Sequence, residues 1–342
     1  GYVGFPGSSF SSAGSGSYGT PSNNEYILVT GSINKDNIYN ASKNRTDNLI
    51  FDLSKDGATV EFWLKKDAWL GDSKTKREVI FDLWNQQPKA SAAYGRLRIE
   101  MDSTSADTVF LISAVSGTSG VKIAPIGTSG SHGAAFTTAK VADSKWHHYA
   151  FTFKNVSSNV QAEMYYDGEF VESITTGSNI NGVSGSIAWS GYTNKPVVAT
   201  IGSLVYRTAF DADSIAKIGH GKLSGSIDEF RYWKTLRTAK QIGSNYFGQV
   251  GGGVNSDDAN TSLGLYYKFN EGMSGISTID DIILDYSGRV ANGKYVGFVS
   301  GTYQRNTGSA MVLSGKAKYN RTSGVCSPCM TYWQSKILAI PH

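Results

Sequence analysis

The sequence predicts an all-β protein in which two antiparallel sheets pack face to face as a sandwich, accompanied by one short helix. Its composition combines 39 Gly with 12% aromatic residues over 342 positions, a mixture of turn formers and strand formers. Short apolar or alternating runs recur between clusters of Gly, Ser, Asn and Asp. A chain of this length can also bury a substantial core. Together these observations favour a β-sandwich over a helical or disordered chain.

The first predicted strands show the alternation of a half-buried sheet. In "ATVEFWLKK", Val60, Phe62 and Leu64 share one face because successive side chains of a strand point to opposite faces. Leu97 and Ile99 share a face in the same way in "YGRLRIEM". The run "DTVFLISAV" is almost continuously apolar, which is typical of a strand covered on both faces. Each of these segments therefore predicts a strand.

The segment "KWHHYAFTFKN" predicts a strand that contains two adjacent histidines. Alternation places Trp146, His148 and Ala150 on one face and His147 and Tyr149 on the other. The two imidazoles therefore point away from each other and are not expected to bind one metal ion together. The expected role of Trp146 and His148 is structural packing. The residues expected in or beside the core are Val60, Phe62, Leu64, Trp146 and Phe230.

Two local signals predict a hairpin and the helix. Asp167 and Gly168 lie between the strand-like runs of "MYYDGEFVES", and Asp-Gly favours a tight hairpin turn because such turns need positive φ. In "RTAKQIGSNYFGQV", Thr238 and Gln241 have the spacing of a capping box at a helix start, and Gly248 suits the helix end. The helix is expected to be short and to follow the strand "GSIDEFRYW".

Five segments of the chain, taken in order, resemble laminin-G-like jelly-roll modules of the concanavalin A-like superfamily. The resemblance covers about residues 25–250. It implies a jelly roll of two antiparallel sheets, one of them curved and concave, that is usually used for binding. The five segments are "ATVEFWLK", "KWHHYAFTF", "MYYDGEFVES", "ATIGSLVY" and "GSIDEFRYWKTLRTAKQI".

The segment after the jelly roll resembles the opening of another such module. It contains "LGLYYKFNEGMSG" and "ILDYSGRVANGKYVGF", and the motif "YVGF" occurs at residues 2–5 and again at residues 295–298. This arrangement favours a chain that is about one period of an array of modules and whose ends fall inside modules rather than between them. The alternative is that the C-terminal segment folds back onto the same sandwich. The predicted divisions are 1–24 as a Gly/Ser-rich arm or the end of a preceding module, 25–250 as the jelly-roll domain, 251–262 as a linker, and 263–342 as the opening of a following module or a β-rich fold-back segment.

The resemblance implies a binding or assembly role. Arrays of modules with sequence motifs such as "DYSGR" resemble long virion structural proteins of tailed phages and large bacterial surface adhesins. The first hypothesis is a structural and adhesive module on a virion surface that contacts glycans, copies of itself or other virion proteins. The alternative is a carbohydrate-binding module of a secreted or cell-surface bacterial adhesin. Tyr94, Trp189 and Tyr192 are the candidate rings for stacking on a sugar, although neighbouring residues could equally cover each of them.

Asp228 and Glu229 in "SIDEF" are the candidates for acid–base chemistry. Hydrolysis of a glycoside needs two carboxyl groups that converge on one bond. Neighbouring residues of a regular strand point to opposite faces, and no third acid follows at a suitable spacing. The chain is therefore expected not to be an enzyme, and Asp228 is expected to bond to backbone at a strand end.

Calcium is the cofactor that the family resemblance suggests, bound in rim loops through carboxylates and carbonyls. No acidic loop has the spacing of a recognised calcium loop, so no ligand is assigned. Cys326 and Cys329 form a lone CxxC that supports a zinc site or a redox role only weakly, and both free thiols and a local disulfide stay open. The acidic loops contain Asp211 and Asp213, Asp257 and Asp258, and Asp280 and Asp281.

Charge and hydropathy indicate which partners are not expected. The net charge of +4 is scattered along the chain, without the basic and aromatic interleaving of a nucleic-acid groove. No apolar run is long enough to cross a bilayer. Neither nucleic-acid binding nor membrane insertion is therefore expected.

Overall fold

In the computed structural model, the chain folds as two antiparallel sheets packed face to face, which confirms the predicted β-sandwich. The order of elements along the chain also follows the predicted runs. The described residues are 1–6, 26–29, 49, 51–69, 77–84, 92, 94–105, 108–128, 135–178, 198–204, 221–250, 262–271, 281–288, 291–296, 298, 305–306 and 310.

The elements are short, as expected for a chain rich in turn formers. Two helices accompany the strands, α1 (Thr138–Val141) and α2 (Ala239–Asn245). The strands are β1 (Tyr2–Pro6), β2 (Tyr26–Val29), β3 (Ala58–Lys65), β4 (Arg77–Trp84), β5 (Gly95–Asp102), β6 (Phe110–Ser116), β7 (Ser119–Pro125), β8 (Trp146–Val156), β9 (Asn159–Tyr166), β10 (Glu169–Thr176), β11 (Val198–Ile201), β12 (Ser224–Trp233), β13 (Leu263–Tyr267), β14 (Ile282–Ile283), β15 (Gly293–Val296) and β16 (Arg305–Asn306).

The described strands form two sheets with different strand orders. The first sheet has the order β10-β9-β8-β3-β12-β1-β16, and β13 also pairs with β12. The second sheet has the order β14-β15-β2-β11-β4-β5-β6-β7. No described helix is long and apolar enough to span a membrane.

Aromatic side chains from both sheets form the centre of the core. Phe62 stacks against Phe151 and Phe230, with ring centroids 6.1 and 6.4 Å apart. Phe81 of the second sheet reaches Phe230 at 5.2 Å and so joins the two layers. Burial of such large apolar side chains is the main favourable contribution to folding. The predicted core residues found in this cluster are Val60, Phe62, Leu64 and Phe230.

Trp146 lies outside this core, on the outer face of the first sheet. It packs beside Trp63 and Tyr246 in a separate small cluster. Its ring also meets the ring of Tyr2 at 5.2 Å. The alternation within β8 is as predicted. Trp146, however, lies on the outer face of the sheet and not beside the core between the two sheets, where it was expected.

The predicted hairpin turn and helix start are both present. Asp167 and Gly168 connect β9 to β10 with φ of 48° and 82°. A methyl group on Gly168 would come within 2.5 Å of the Tyr246 ring, so the turn requires glycine for contact as well as for φ. Thr238 accepts from the Gln241 N–H, and the Gln241 side chain accepts from the Thr238 N–H, which confirms the capping box at the start of α2.

Strands from both ends of the chain pair with central strands of the sandwich. β1 and β13 both lie along β12, and β15 pairs with β2. The two "YVGF" copies therefore lie in different sheets, the first in β1 and the second at β15. Phe5 and Phe298, the last residues of the two copies, meet edge to face at 6.1 Å. The strands β13 and β15 thus pair with strands of the two sheets, and the division of the chain into modules stays a prediction.

A buried ion pair joins the two sheets. Lys66 Nζ, directly after β3, lies 2.9 and 2.7 Å from the two carboxylate oxygens of Glu78 in β4. Lys66 also donates to the Ser224 carbonyl at 2.7 Å, and the Ser224 N–H donates to Glu78 at 2.8 Å. Burial raises the pKa of Glu78 and lowers the pKa of Lys66, because removing either charge from water is unfavourable.

Candidate functional site

Tyr94 is the predicted sugar-stacking residue that lies within the described structure. It is 7% exposed and packs with Trp84 and Val115. Its hydroxyl accepts from Arg96 Nη1 at 3.4 Å. Tyr94 is therefore covered by neighbours and offers little ring surface to a sugar. The predicted residues that lie outside the described part of the chain are Trp189, Tyr192, Asp211, Asp213, Asp257, Asp258, Asp280, Cys326 and Cys329.

Asp228 and Glu229 lie at a bulge inside β12, which corrects two expectations. Glu229 has a φ of 49°, and the register against β3 shifts between Asp228 and Arg231. The extra residue breaks the alternation, so both acids lie on the outer face of the first sheet and do not point to opposite faces. The bonds of Asp228 to backbone are as expected, but the residue lies within the strand and not at its end.

Both acids at the bulge are already bonded. Asp228 accepts from the backbone N–H groups of Glu229 and Ala310, each at 2.8 Å. Burial raises the pKa of Asp228 to about 7. Glu229 accepts from Arg231 at 3.2 Å, from Gln249 at 3.1 Å, and from the hydroxyl of Tyr266.

A buried charge cluster extends from this bulge across the outer face of the first sheet. It consists of Glu61, His148, Glu229, Arg231 and Arg237, each no more than 2% exposed. Glu61 lies 3.0 Å from Arg237, 3.5 Å from His148 and 3.7 Å from Arg231. Burial alone would raise the pKa of Glu61, but His148 and the two guanidinium groups hold it below its ordinary value. The cluster is an internal network of opposite charges, not an open cleft.

His147 forms a second polar group, at the surface end of β8. Its Nδ1 lies 2.7 Å from Asp167, its Nε2 lies 3.0 Å from Asp143, and its ring stacks on Tyr166 at 4.7 Å. Burial opposes the charged form, but the two carboxylates raise the pKa of His147 above its ordinary value. Lys140 lies over the same Tyr166 ring, 5.6 Å from its centroid. Protonated His147 therefore ties the β9–β10 turn to the segment before β8.

This geometry predicts a pH-dependent contribution to stability. Because the folded pKa of His147 is raised, the contribution is fully present below about pH 6.5, the ordinary value for histidine. It is lost as pH rises through the folded pKa. Replacing His147 by Gln should lower the free energy of unfolding by on the order of 1 kcal/mol at pH 5.5 and by much less at pH 9. Urea unfolding at the two pH values measures this, and an equal loss at both would contradict it.

Metal binding has no support among the described residues. No group of three or more His, Cys, Asp or Glu side chains in this part of the chain is placed to hold a metal ion. Asp281, the described member of the predicted acidic loops, accepts from the Tyr295 N–H through its carbonyl at 2.8 Å. Calcium binding therefore stays a prediction.

An exposed surface on the turns after β13 and β14 is the best candidate for ligand binding. Tyr286 is 39% exposed, and its hydroxyl donates to Asn270 Oδ1 at 2.9 Å. Lys268 Nζ lies 4.7 Å from the centroid of the same ring. Leu284 and Ile282 are 44% and 42% exposed and continue the apolar surface. These five residues form what we call the Tyr286 face.

Asp285 fixes the backbone that presents this face. Its carboxylate accepts from the N–H groups of Tyr266 at 2.9 Å and Ala291 at 2.9 Å. It also accepts from the Ser287 N–H at 3.0 Å and the Ser287 hydroxyl at 2.6 Å. The Tyr286 N–H donates to the Tyr266 carbonyl at 2.8 Å. The Asp-Tyr-Ser sequence is thus an organised turn whose middle residue faces solvent.

Phe269 positions the other side of the face. Its φ of 51° is uncommon for a bulky residue. The residue is 2% exposed and its ring meets that of Tyr267 in the core. This tight turn directs Phe269 inwards while its neighbours Lys268 and Asn270 stay at the surface. Local backbone strain of about 1–3 kcal/mol persists where the surrounding structure supports it, and it is common at binding sites.

The predicted site residues and the Tyr286 face have no residue in common. The signal was nevertheless present, since the quoted segments "LGLYYKFNEGMSG" and "ILDYSGRVANGKYVGF" contain every member of the face except Ile282, which directly precedes the second segment. Which of their tyrosines would be exposed depended on the pairing of β13 with β12 and of β14 with β15. Tyr266 and Tyr267 are buried and Tyr286 is not.

Comparison with known structures gives low overall similarity. A candidate carbohydrate-binding protein from Bacteroides ovatus ATCC 8483 is 17% identical over 82% of this chain and 57% of its own, with a TM-score of 0.41. The SAP-like pentraxin of Limulus polyphemus is 12% identical over 73% of this chain and 83% of its own, with a TM-score of 0.36. The CBM40 module of a Ruminococcus gnavus sialidase, bound to α2,3-sialyllactose, is 10% identical over 57% of this chain and 90% of its own, with a TM-score of 0.30.

The family is shown by sequence. The chain spans 57% of the length of the Bacteroides ovatus protein, and no curated protein matches it. A laminin-G profile, described as the concanavalin A-like lectin/glucanases superfamily, matches residues 36–243. This match covers more than half of the chain and ends before the Tyr286 face. The chain therefore belongs to the concanavalin A-like lectin/glucanases superfamily.

Proposed function

We propose that the chain is a non-catalytic carbohydrate-binding module whose ligand lies on the Tyr286 face. The observation that carries the proposal is an exposed tyrosine ring, on a turn whose backbone Asp285 fixes, that lies beside an amide and an ammonium group. Membership of a superfamily of lectins and glucanases supports a sugar as the ligand class.

The chemistry of the face suits a sugar. A pyranose presents an apolar face that stacks on an aromatic ring and hydroxyls that bond to amide groups. Asn270 Oδ1 accepts from Tyr286, which directs the amide N–H groups away from that bond. A tyrosine phenol is protonated at neutral pH, and burial raises the pKa of Tyr286 further. An apolar strip beside the ring, Leu284 and Ile282, extends the contact surface.

Binding without turnover is supported by the state of the acids at the bulge. Asp228 and Glu229 are no more than 2% exposed and are bonded to backbone, to Arg231 and to Tyr266. Glycoside hydrolysis needs an acid and a base that both reach the scissile bond. Release of reducing sugar by the purified chain that disappears on changing Asp228 or Glu229 would contradict this part of the proposal.

The setting that we propose is a surface assembly. The repeated "YVGF" motif and the segment that resembles the opening of a second module support a module of a phage virion protein, exposed on the virion surface. The alternative is a module of a secreted or cell-surface bacterial adhesin. Sequencing of the surrounding genome distinguishes them, because further copies beside capsid or tail genes support the virion setting.

The binding proposal predicts the effect of removing one ring. Tyr286→Ala should weaken binding to the glycan that the wild type selects from an array by roughly tenfold or more, because stacking and an ordered amide are both lost. Phe170→Ala is the matched control, since Phe170 is 41% exposed on β10, a strand that does not contribute to the Tyr286 face. Titration calorimetry with the selected glycan measures both. Equal affinity of the wild type and Tyr286→Ala would remove the Tyr286 face as the site.

A further inference from the structure

The charge of the Tyr286 face indicates which class of sugar it accepts. Lys268 Nζ lies 4.7 Å from the centroid of Tyr286 and 5.1 Å from that of Tyr266. Within the described residues, no carboxylate lies within 4.0 Å of this ammonium group. Lys268 is therefore held beside the exposed ring by cation–π contacts, and no carboxylate of the described residues pairs with its charge.

The nearby acids are turned into the fold. The Asp285 carboxylate is occupied by backbone donors and by Ser287. Glu271 accepts from the Leu284 N–H at 3.0 Å through Oε1, and its Oε2 is buried. Among the five residues of the Tyr286 face, Lys268 and Asn270 thus supply an ammonium group and an amide, both of which carry hydrogen-bond donors.

A second lysine stands at the other end of the apolar strip. Lys294 of β15 is exposed and lies directly opposite Ile282 of β14. Side chains at such a cross-strand pair lie on the same face of the sheet. Among the described residues it also has no carboxylate partner within 4.0 Å. The apolar strip from Ile282 to Tyr286 is therefore flanked by a lysine at each end.

We infer that the ligand is an anionic glycan, a sugar chain that bears carboxylate or sulfate groups. This inference rests on the proposed function, since it concerns the ligand of the same face. The sugar ring contacts Tyr286, and an anionic substituent accepts from Lys268 and Asn270. Hydrogen bonds between two charged groups are stronger than neutral ones. Lys294, opposite Ile282, contacts a further anionic group along the sugar chain.

The test compares three polymers on the full chain: polygalacturonate, dextran sulfate and neutral mannan. We expect the wild type to bind at least one anionic polymer and to bind mannan more weakly. Lys268→Gln should weaken that binding roughly tenfold, and Lys268→Arg should retain most of it. Lys240→Gln on α2, also a loss of one exposed charge, is the matched control and should have no effect. Binding should also weaken with salt.

The outcomes separate this inference from the proposed function. Binding of mannan that Tyr286→Ala abolishes and Lys268→Gln leaves unchanged would overturn the anionic ligand and keep the sugar site. Binding of the anionic polymers that Lys240→Gln weakens as much as Lys268→Gln would also overturn the inference, because any surface lysine would then suffice. Binding to vesicles of anionic lipid without binding to any polymer would overturn both proposals.

Discussion

Replacing Glu78 by Leu is expected to lower the free energy of unfolding by about 3–5 kcal/mol, because it leaves the buried ammonium of Lys66 without its counter-charge. The side chain of Lys66 is fully buried, and that of Glu78 is 8% exposed. Lys66 would keep the Ser224 carbonyl and the Trp69 ring as partners, and the carboxylate of the exposed Asp67 would still act on its charge. The site joins β3 and β12 of one sheet to β4 of the other, so its loss affects the packing of the two layers.

A double-mutant cycle tests the cause of this loss. Lys66→Met and Glu78→Leu should each be strongly destabilising, while the double variant should lose less than either, because no unpaired charge then remains inside. The backbone groups of Ser224 lose their partners in the double variant, so some destabilisation persists. Denaturant unfolding measures all four proteins. Losses that simply add in the double variant would contradict the ion-pair explanation.

Glu61 should have an effect of similar size, for a related reason. Glu61→Leu removes the carboxylate that His148, Arg231 and Arg237 share, and we expect a loss of about 3–5 kcal/mol. Arg231 keeps Glu229 at 3.2 Å, whereas Arg237 loses the carboxylate that lies 3.0 Å away. The effect should therefore appear as destabilisation of the sandwich.

The control for Glu61 is an exposed carboxylate at a comparable ion pair. Asp67 pairs with Lys65 at 3.8 Å, and its side chain is 70% exposed. Such surface pairs contribute little, so Asp67→Ala should be nearly neutral. A Glu61→Leu variant as stable as the wild type would show that the buried charge cluster is not a structural network. It would reopen a chemical role for Glu61 and Glu229.

The regular strands could be predicted from the sequence because their alternation is local information. Val60, Phe62 and Leu64 are inward in the structure for the reason that their spacing indicates. The hairpin at Asp167 and Gly168 also follows from two residues alone. The alternation did not predict which face of a strand points to the core. Trp146 shows this, because both faces of the first sheet carry buried residues.

The bulge in β12 and the helix α1 could not be predicted from the local sequence pattern. Glu229 has a positive φ, and its carboxylate bonds with Arg231 of the same strand and with Tyr266 of β13. Helix α1 is a single turn capped by Thr137, too short to show a helical period. The bulge therefore gave no periodic signal because it interrupts the alternation of β12, and α1 gave none because it is too short.

The candidate site was missed for a different reason. Aromatic residues are common in this chain, and exposure is what distinguishes a stacking ring from a core ring. Tyr94 and Tyr286 are the same residue type in the sequence, but Tyr94 is 7% exposed and Tyr286 is 39% exposed. For Tyr286 the exposure depends on how β13 pairs with β12 and β14 with β15.

The most direct test of the central claim is to map a bound glycan on the protein by amide chemical shifts. With an oligosaccharide that binds, we predict that the largest shifts fall at residues 268–271 and 282–287, with Tyr286 and Asn270 among them. Shifts that fall instead around Trp84 and Tyr94, with none at the Tyr286 face, would contradict the claim and place the sugar beside β4 and β5.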